Sequence, residues 1–155
     1  TLIALKIAEC EEKQMSFEEI IKTVDAYIEE QHTYFVLETL ETLRKNGRLT
    51  GIKAMMATAL NIKPVMGSTP IGSICQLGQG RGMKKAIEKM VAQVKKDAIR
   101  PEEKILAITH CNCPERAEDM KKMVREQMKV KDIIVLDTAG ISSMYAADGG
   151  VILVV

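Results

Sequence analysis

Two arginines stand immediately after glycines in this chain, Gly47-Arg48 and Gly80-Arg81. Small flanking residues leave a guanidinium free to meet an anion or a partner protein. A second group of polar atoms lies in the run from Thr138 to Gly150, which is rich in small residues. Read as a loop between two strands, it brings backbone amides, Ser142, Ser143 and the Tyr145 hydroxyl toward a carboxylate or phosphate. A plain glycine turn is the competing reading of the same segment. His110 falls at the end of an expected strand, just before a helix start, where a side chain either faces a crevice or is hydrogen-bonded in place. His32 reads as a surface residue between a helix and a strand. No G-x-S-x-G elbow occurs, and neither histidine has a marked serine or cysteine partner, so no catalytic residue is expected. Gly78-Gln79-Gly80-Arg81-Gly82 matches neither the phosphate-loop nor the dinucleotide fingerprint, and no cofactor is expected.

Charge and composition narrow the class of partner. Lys and Arg total 22 against 21 Asp and Glu, a net charge of +1, so no overall field draws the chain to nucleic acid or anionic lipid. Aromatic residues make up 3% with no Trp, which removes the stacking platforms of single-strand binders. The ten methionines adapt to irregular apolar shapes, as core filling or as the lining of an apolar site. No apolar run reaches the roughly 18 residues of a membrane span. The four cysteines, 10, 75, 111 and 113, read as reduced thiols of a cytoplasmic protein. His110-Cys111-Asn112-Cys113 lacks a second ligand pair, and no metal is expected. The opening residues Thr1-Leu2-Ile3-Ala4-Leu5-Lys6 begin without Met and read like the middle of a helix, which predicts an N-terminal portion beyond this chain.

The elements that must position these groups alternate between two periodicities. Helical spacing covers Leu2 to Glu11, and Ser16-Phe17-Glu18-Glu19 forms a capping box, with Met15 and Ile20 as a hydrophobic staple, for a helix to about Glu30. Thr33 to Leu37 reads as a buried strand, Glu38 to Lys45 as a helix closed by Gly47, and Gly51 to Leu60 as a further helix. Ile62 to Met66 and Ser73 to Leu77 flank a turn-rich segment and predict a hairpin whose first strand, carrying Pro64, lies at an edge. Met83 to Ala98 has its apolar residues at helical spacing. Ile105 to Thr109, Ile133 to Leu136 and Val151 to Val155 read as strands, with a helix from Pro114 to Gln127 that starts behind Asn112. The pattern predicts an α+β fold, a two-layer sandwich of a mixed β-sheet with helices mainly on one face.

Leu37-Glu38-Thr39-Leu40, Leu43-Arg44-Lys45-Asn46-Gly47-Arg48-Leu49, Leu60-Asn61-Ile62-Lys63-Pro64 and Arg81-Gly82-Met83-Lys84-Lys85-Ala86 together resemble the C-terminal part of the DegV family of bacterial fatty-acid-binding proteins. The resemblance implies a lipid-binding domain over residues 33–155, with residues 1–32 linking it to an N-terminal domain. It implies a long-chain fatty acid whose tail runs in an apolar tunnel inside this domain and whose head group lies at the domain junction, with Ser142, Ser143, Tyr145, His110 and Ile62 as the candidate ligand-binding residues. It also implies a carrier, not an enzyme, that presents the acid to a fatty acid kinase through Arg48 and Arg81. Where the family usually reads His-Thr-Gly-Pro-Gly, this chain has Tyr145-Ala146-Ala147-Asp148-Gly149, and a phenol donates one hydrogen bond without becoming cationic near neutral pH. That departure leaves open a different acid or another lipid-like ligand. Two other readings stand beside it: a transferase-type domain using Arg48, Arg81 and His110 on a small phosphorylated ligand, and an interaction module with a filled core.

Overall fold

The structure, a computed structural model, describes residues 1–49 and 61–155. The helix expected over Gly51 to Leu60 lies outside the described residues. The chain divides into two compact units, Thr1–His32 and Thr33–Val155.

The first unit is a helical pair, α1 (Leu2–Glu12) and α2 (Phe17–Glu29). The capping box forms as its spacing predicts: the Glu19 amide donates to Ser16 Oγ, and Glu19 Oε2 accepts from the Ser16 amide at 2.8 Å. Two of the orphan amide donors at the helix start are thereby satisfied.

The second unit contains β1 (Thr33–Val36), α3 (Glu41–Lys45), β2 (Ile62–Ser68), β3 (Ile74–Arg81), α4 (Gly82–Asp97), β4 (Ile105–His110), α5 (Pro114–Gln127), β5 (Asp132–Asp137), α6 (Ile141–Ala146) and β6 (Val151–Val154). The strands form one mixed sheet in the order β3-β2-β1-β6-β4-β5, in which only β4 and β5 pair in parallel. This is the expected α+β architecture. Side chains alternate between the faces of a strand, and the buried residues sort accordingly. Val36, Val65, Leu106, Ile108, Val151 and Leu153 face α4 and α5, which answer with Ile87, Met90, Val91, Val94, Met120 and Val124. Fully burying each such side chain stabilises by about 1.5–3 kcal/mol. Tyr34 reaches the far end of α4, where its hydroxyl donates to Asp97 Oδ2 at 2.9 Å; burial and that carboxylate raise its pKa.

Four expectations need correction. Pro64 lies not on an edge strand but on β2, second in the sheet; it pairs with Gln79 on one side, while β1 ends at Val36 before reaching it, so its missing N–H costs no ladder bond there. The helix expected from Glu38 begins at Glu41, because Glu38 is held by Lys63 of β2 and Arg116 of α5 and the Glu41 amide turns to Thr39 Oγ1 at 3.1 Å. The loop expected over 138–150 contains α6, bracketed by positive φ at Gly140 and Ala147. Asn112 does not cap α5; it takes a positive φ, and Cys113 is the N-cap without a side-chain bond. Gly47 does close α3, with the Arg48 amide on Leu43 O at 2.9 Å and the Gly47 amide on Arg44 O at 3.1 Å, the paired bonds of a Schellman turn.

The β3–α4 junction fixes Arg81. A Cβ on Gly80 would run into the backbone of Lys85 and Ala86, so strand and helix touch main chain to main chain there. The Gly82 amide donates to Asn61 O at 2.7 Å, tying the junction to the start of β2. Gly80→Ala is expected to lower the unfolding free energy by about 3 kcal/mol in urea titration, because backbone atoms have no rotamer with which to yield.

Candidate functional site

The second face of the sheet is built differently from the first. Register aligns Met66, Phe35, Ile152, Thr109 and Leu136 in one row across five strands. Beside it runs a second row of Val154, Ala107 and Ile134. At the usual inter-strand spacing the longer row spans about 19 Å. Phe35, Ile152, Val154 and Ile134 are only half-buried, and Leu136 is 40% exposed, whereas Val36, Leu106, Ile108, Val151 and Leu153 on the side facing α4 and α5 are fully buried. Met66 and Ala107 are buried, so the unfilled contact capacity of this largely apolar floor lies at Phe35, Ile152, Val154, Ile134 and Leu136. At Phe35 it meets a small cluster in which Leu37, Leu43 and Ala146 are buried and Phe35, Leu40, Leu49, Ile74, Cys111 and Tyr145 pack against them.

Tyr145 thus sits on α6 with its ring against apolar neighbours. Ser143, two residues earlier in α6, donates its hydroxyl to Thr138 Oγ1 at 2.9 Å and keeps lone pairs to accept with. Ser142 is exposed. Ile62 is half-buried at the start of β2 and lies directly opposite Arg81, the last residue of β3. Arg81 and Arg48 are both exposed; Arg48 Nη1 donates to Asn46 O at 3.3 Å. The ends of β1, β3, β4 and β5 and the starts of β2 and β6 share one end of the sheet. Ile62, Arg81, His110 and α6 are gathered there by topology.

His110 takes the hydrogen-bonded alternative. It is 5% exposed and in phase with Leu106 and Ile108, on the α4–α5 face and away from Tyr145. Its Nδ1 accepts from the Cys113 amide at 3.3 Å, so that nitrogen has no proton to offer Asp137, whose Oδ1 lies 3.5 Å away. Burial pushes the Cys113 thiol up, which disfavours its thiolate form. Asp148 is engaged by Asn112 Nδ2 at 2.8 Å. Among the described residues no group of three or more His, Cys, Asp or Glu is placed to hold a metal ion. No described helix is long and apolar enough to cross a membrane. Two open grooves are lined by described residues, one between α4 and α5 and one between α4 and β3; neither touches Tyr145.

The polar centre that sequence reasoning missed is Glu38. Its carboxylate receives Lys63 Nζ at 2.6 Å on one oxygen and Arg116 Nη2 at 3.0 Å on the other. Lys63 Nζ also donates to the Glu38 carbonyl at 2.8 Å, and Arg116 Nη1 donates to the Gly149 carbonyl. Gly149 has φ +81°, and a Cβ there would stand 2.8 Å from Arg116 Nη1 and 3.0 Å from Glu38 Cγ. The backbone beside it is laced to the end of β4 by Gly149 N–H to Cys111 O at 2.8 Å and Cys111 N–H to Gly150 O at 3.0 Å. Two signals were available: Glu38 and Lys63 are charged residues inside otherwise apolar stretches. Their pairing with Arg116 was not visible locally.

Partial burial opposes ionisation of Glu38, but Lys63 and Arg116 outweigh it and hold the carboxyl below its ordinary 4.5. A depressed carboxylate stabilises the fold above the unfolded value and loses that contribution as pH falls through the folded one. Glu38→Gln is therefore expected to cost about 1–2 kcal/mol at pH 7, as befits a half-buried pair. The difference between variant and wild type should shrink below pH 4.5 in denaturant titrations across pH.

Residues 1–154 match the family model described as "Uncharacterised protein, DegV family". A DegV family protein from Ruminococcus gnavus, solved with vaccenic acid, is 59% identical, with a TM-score of 0.95 over 99% of this chain and 55% of its own. The Streptococcus pneumoniae Fatty Acid Kinase (Fak) B3 protein, solved loaded with linoleic acid, is 27% identical, with a TM-score of 0.86 over 99% of this chain and 54% of its own. A DegV domain-containing protein of Clostridium perfringens is 29% identical over 134 residues, 86% of this chain and 46% of that protein. The chain spans about half the length of the curated relatives it matches.

Proposed function

Because the chain belongs to the DegV family, we propose that it forms part of a protein that binds a long-chain fatty acid and presents the carboxylate to a fatty acid kinase. The observation that carries this reading is the half-exposed apolar floor, whose Phe35 shares a cluster with Tyr145. About 0.8 kcal/mol per buried methylene retains an acyl chain, while the carboxylate needs only a few fixed donors. On this reading the tail lies along Phe35, Ile152 and Leu136 within a tunnel, and Tyr145, Ser142 and Ser143 stand at the head-group end with Ile62 nearby. His110 serves the site indirectly by fixing the turn into α5. Arg81 and Arg48 face the kinase. Residues 1–32 lead to an N-terminal half that completes the head-group site, and the protein works in the cytoplasm, where a kinase has its nucleotide. The acids named with the Ruminococcus gnavus and Streptococcus pneumoniae structures support the ligand class, and the latter protein's name supports the kinase. Tyr145, in the position where the family usually has histidine, marks where this protein's choice of acid or related lipid is set.

Organic extraction of the purified protein followed by mass spectrometry should recover a long-chain acid. A bound phosphate ester in its place would favour a transferase, and an empty protein the interaction module. Arg81→Ala is expected to leave the lipid content unchanged while lowering kinase-dependent acyl phosphate formation roughly tenfold, the size of one exposed contact across an interface. Parallel loss of both would move Arg81 into the lipid site.

A further inference from the structure

We infer that Glu38 is a positioning residue for the head-group end of the lipid site, acting through Arg116 and Gly149 on α6; this rests on the fatty acid reading above. The clamp and the ligand side chains belong to different parts of the chain, and the geometry connects them in one short path. Glu38 follows β1, Lys63 belongs to β2 and Arg116 to the first turn of α5, and all three converge on one carboxylate. Arg116 spends its other nitrogen on the carbonyl of Gly149, which closes the segment behind α6. The front of α6 is fastened separately, by Ser143 to Thr138 at 2.9 Å. The short helix that carries Ser142, Ser143 and Tyr145 is therefore held at one end by a hydroxyl pair and at the other by a guanidinium whose orientation Glu38 dictates.

The planar fork of Arg116 makes this a geometric device as well as an electrostatic one. Five donors in one plane reach a carboxylate and a carbonyl together, which a lysine ammonium on a flexible stem does not reproduce. Gly149 has no room for a side chain beside Arg116 and Glu38, so the loop has no alternative seat while the clamp is closed. Neutralising Glu38 removes the anchor that aims the guanidinium, and the turn behind α6 loses its side-chain clamp, keeping only the backbone bonds between Cys111 and Gly149–Gly150 and the Asn112–Asp148 bond. The apolar floor is untouched, because Phe35, Ile152 and Leu136 are placed by strand register. A ligand held by its tail alone should not sense the change; one held by its carboxylate should.

The test compares oleate with methyl oleate, by displacement of a fluorescent fatty acid from the intact protein, for wild type, Glu38→Gln and Arg116→Lys. Both variants should lose roughly tenfold in oleate affinity, about one charge-assisted hydrogen bond, while methyl oleate changes by less than about twofold. In ligand-free protein the amide resonances of residues 143–150 should move in both variants, with those of β4 and β6 remaining in place. Equal losses for the two lipids, unchanged oleate affinity, or resonances of 143–150 that stay fixed would each overturn the positioning role. If wild type binds neither lipid, the fatty acid reading itself fails, an outcome that wild type alone decides and that variant data cannot mimic.

Discussion

One carboxylate stands where the working end of this sheet is assembled. Strands in the order β3-β2-β1-β6-β4-β5 bring together segments far apart in the chain, and register alone settles where they lie within the sheet. It does not settle the connections beyond the strand ends, where backbone groups leave the ladder and need other partners. Glu38 supplies that order: two cations from β2 and α5 meet on it, and one of them passes the constraint on to the turn before β6. The arrangement is half-buried, enough for the ions to matter to one another and not so deep that desolvation outweighs their attraction.

The two faces of the sheet divide the labour of the domain. Toward α4 and α5 the central strands bury their side chains in the larger core cluster. The opposite floor keeps apolar side chains half-exposed, a state that soluble proteins tolerate in quantity when something is meant to cover it. The lipid-loaded relatives share this fold, and the closely similar one from Ruminococcus gnavus matches it at a TM-score of 0.95.

Local interactions were readable in the sequence, and nonlocal ones were not. Ser16 and Glu19 are three residues apart, and their reciprocal bonds follow from spacing alone. The buried stripe of α4 repeats at helical period, and Gly47 marks the end of α3 because few other residues take its conformation. Pro64 misled because its consequence depends on where β1 stops, a fact about a strand some thirty residues away. Small residues around Ile141 disguised a helix as a turn. The candidate hydroxyls of α6 were visible as residue types, but the contact that fixes them joins Glu38 to Arg116 across 78 positions, beyond any periodicity.

The main-chain contact at Gly80 gives the site a mechanical character. A strand that meets its following helix through bare backbone has no cushion of side chains to compress, so the β3–α4 corner behaves as a rigid bracket. Arg81 projects from that bracket, directly across from Ile62. The main chain beneath Arg81 is thus fixed during folding, and what freedom remains at this position belongs to its exposed side chain.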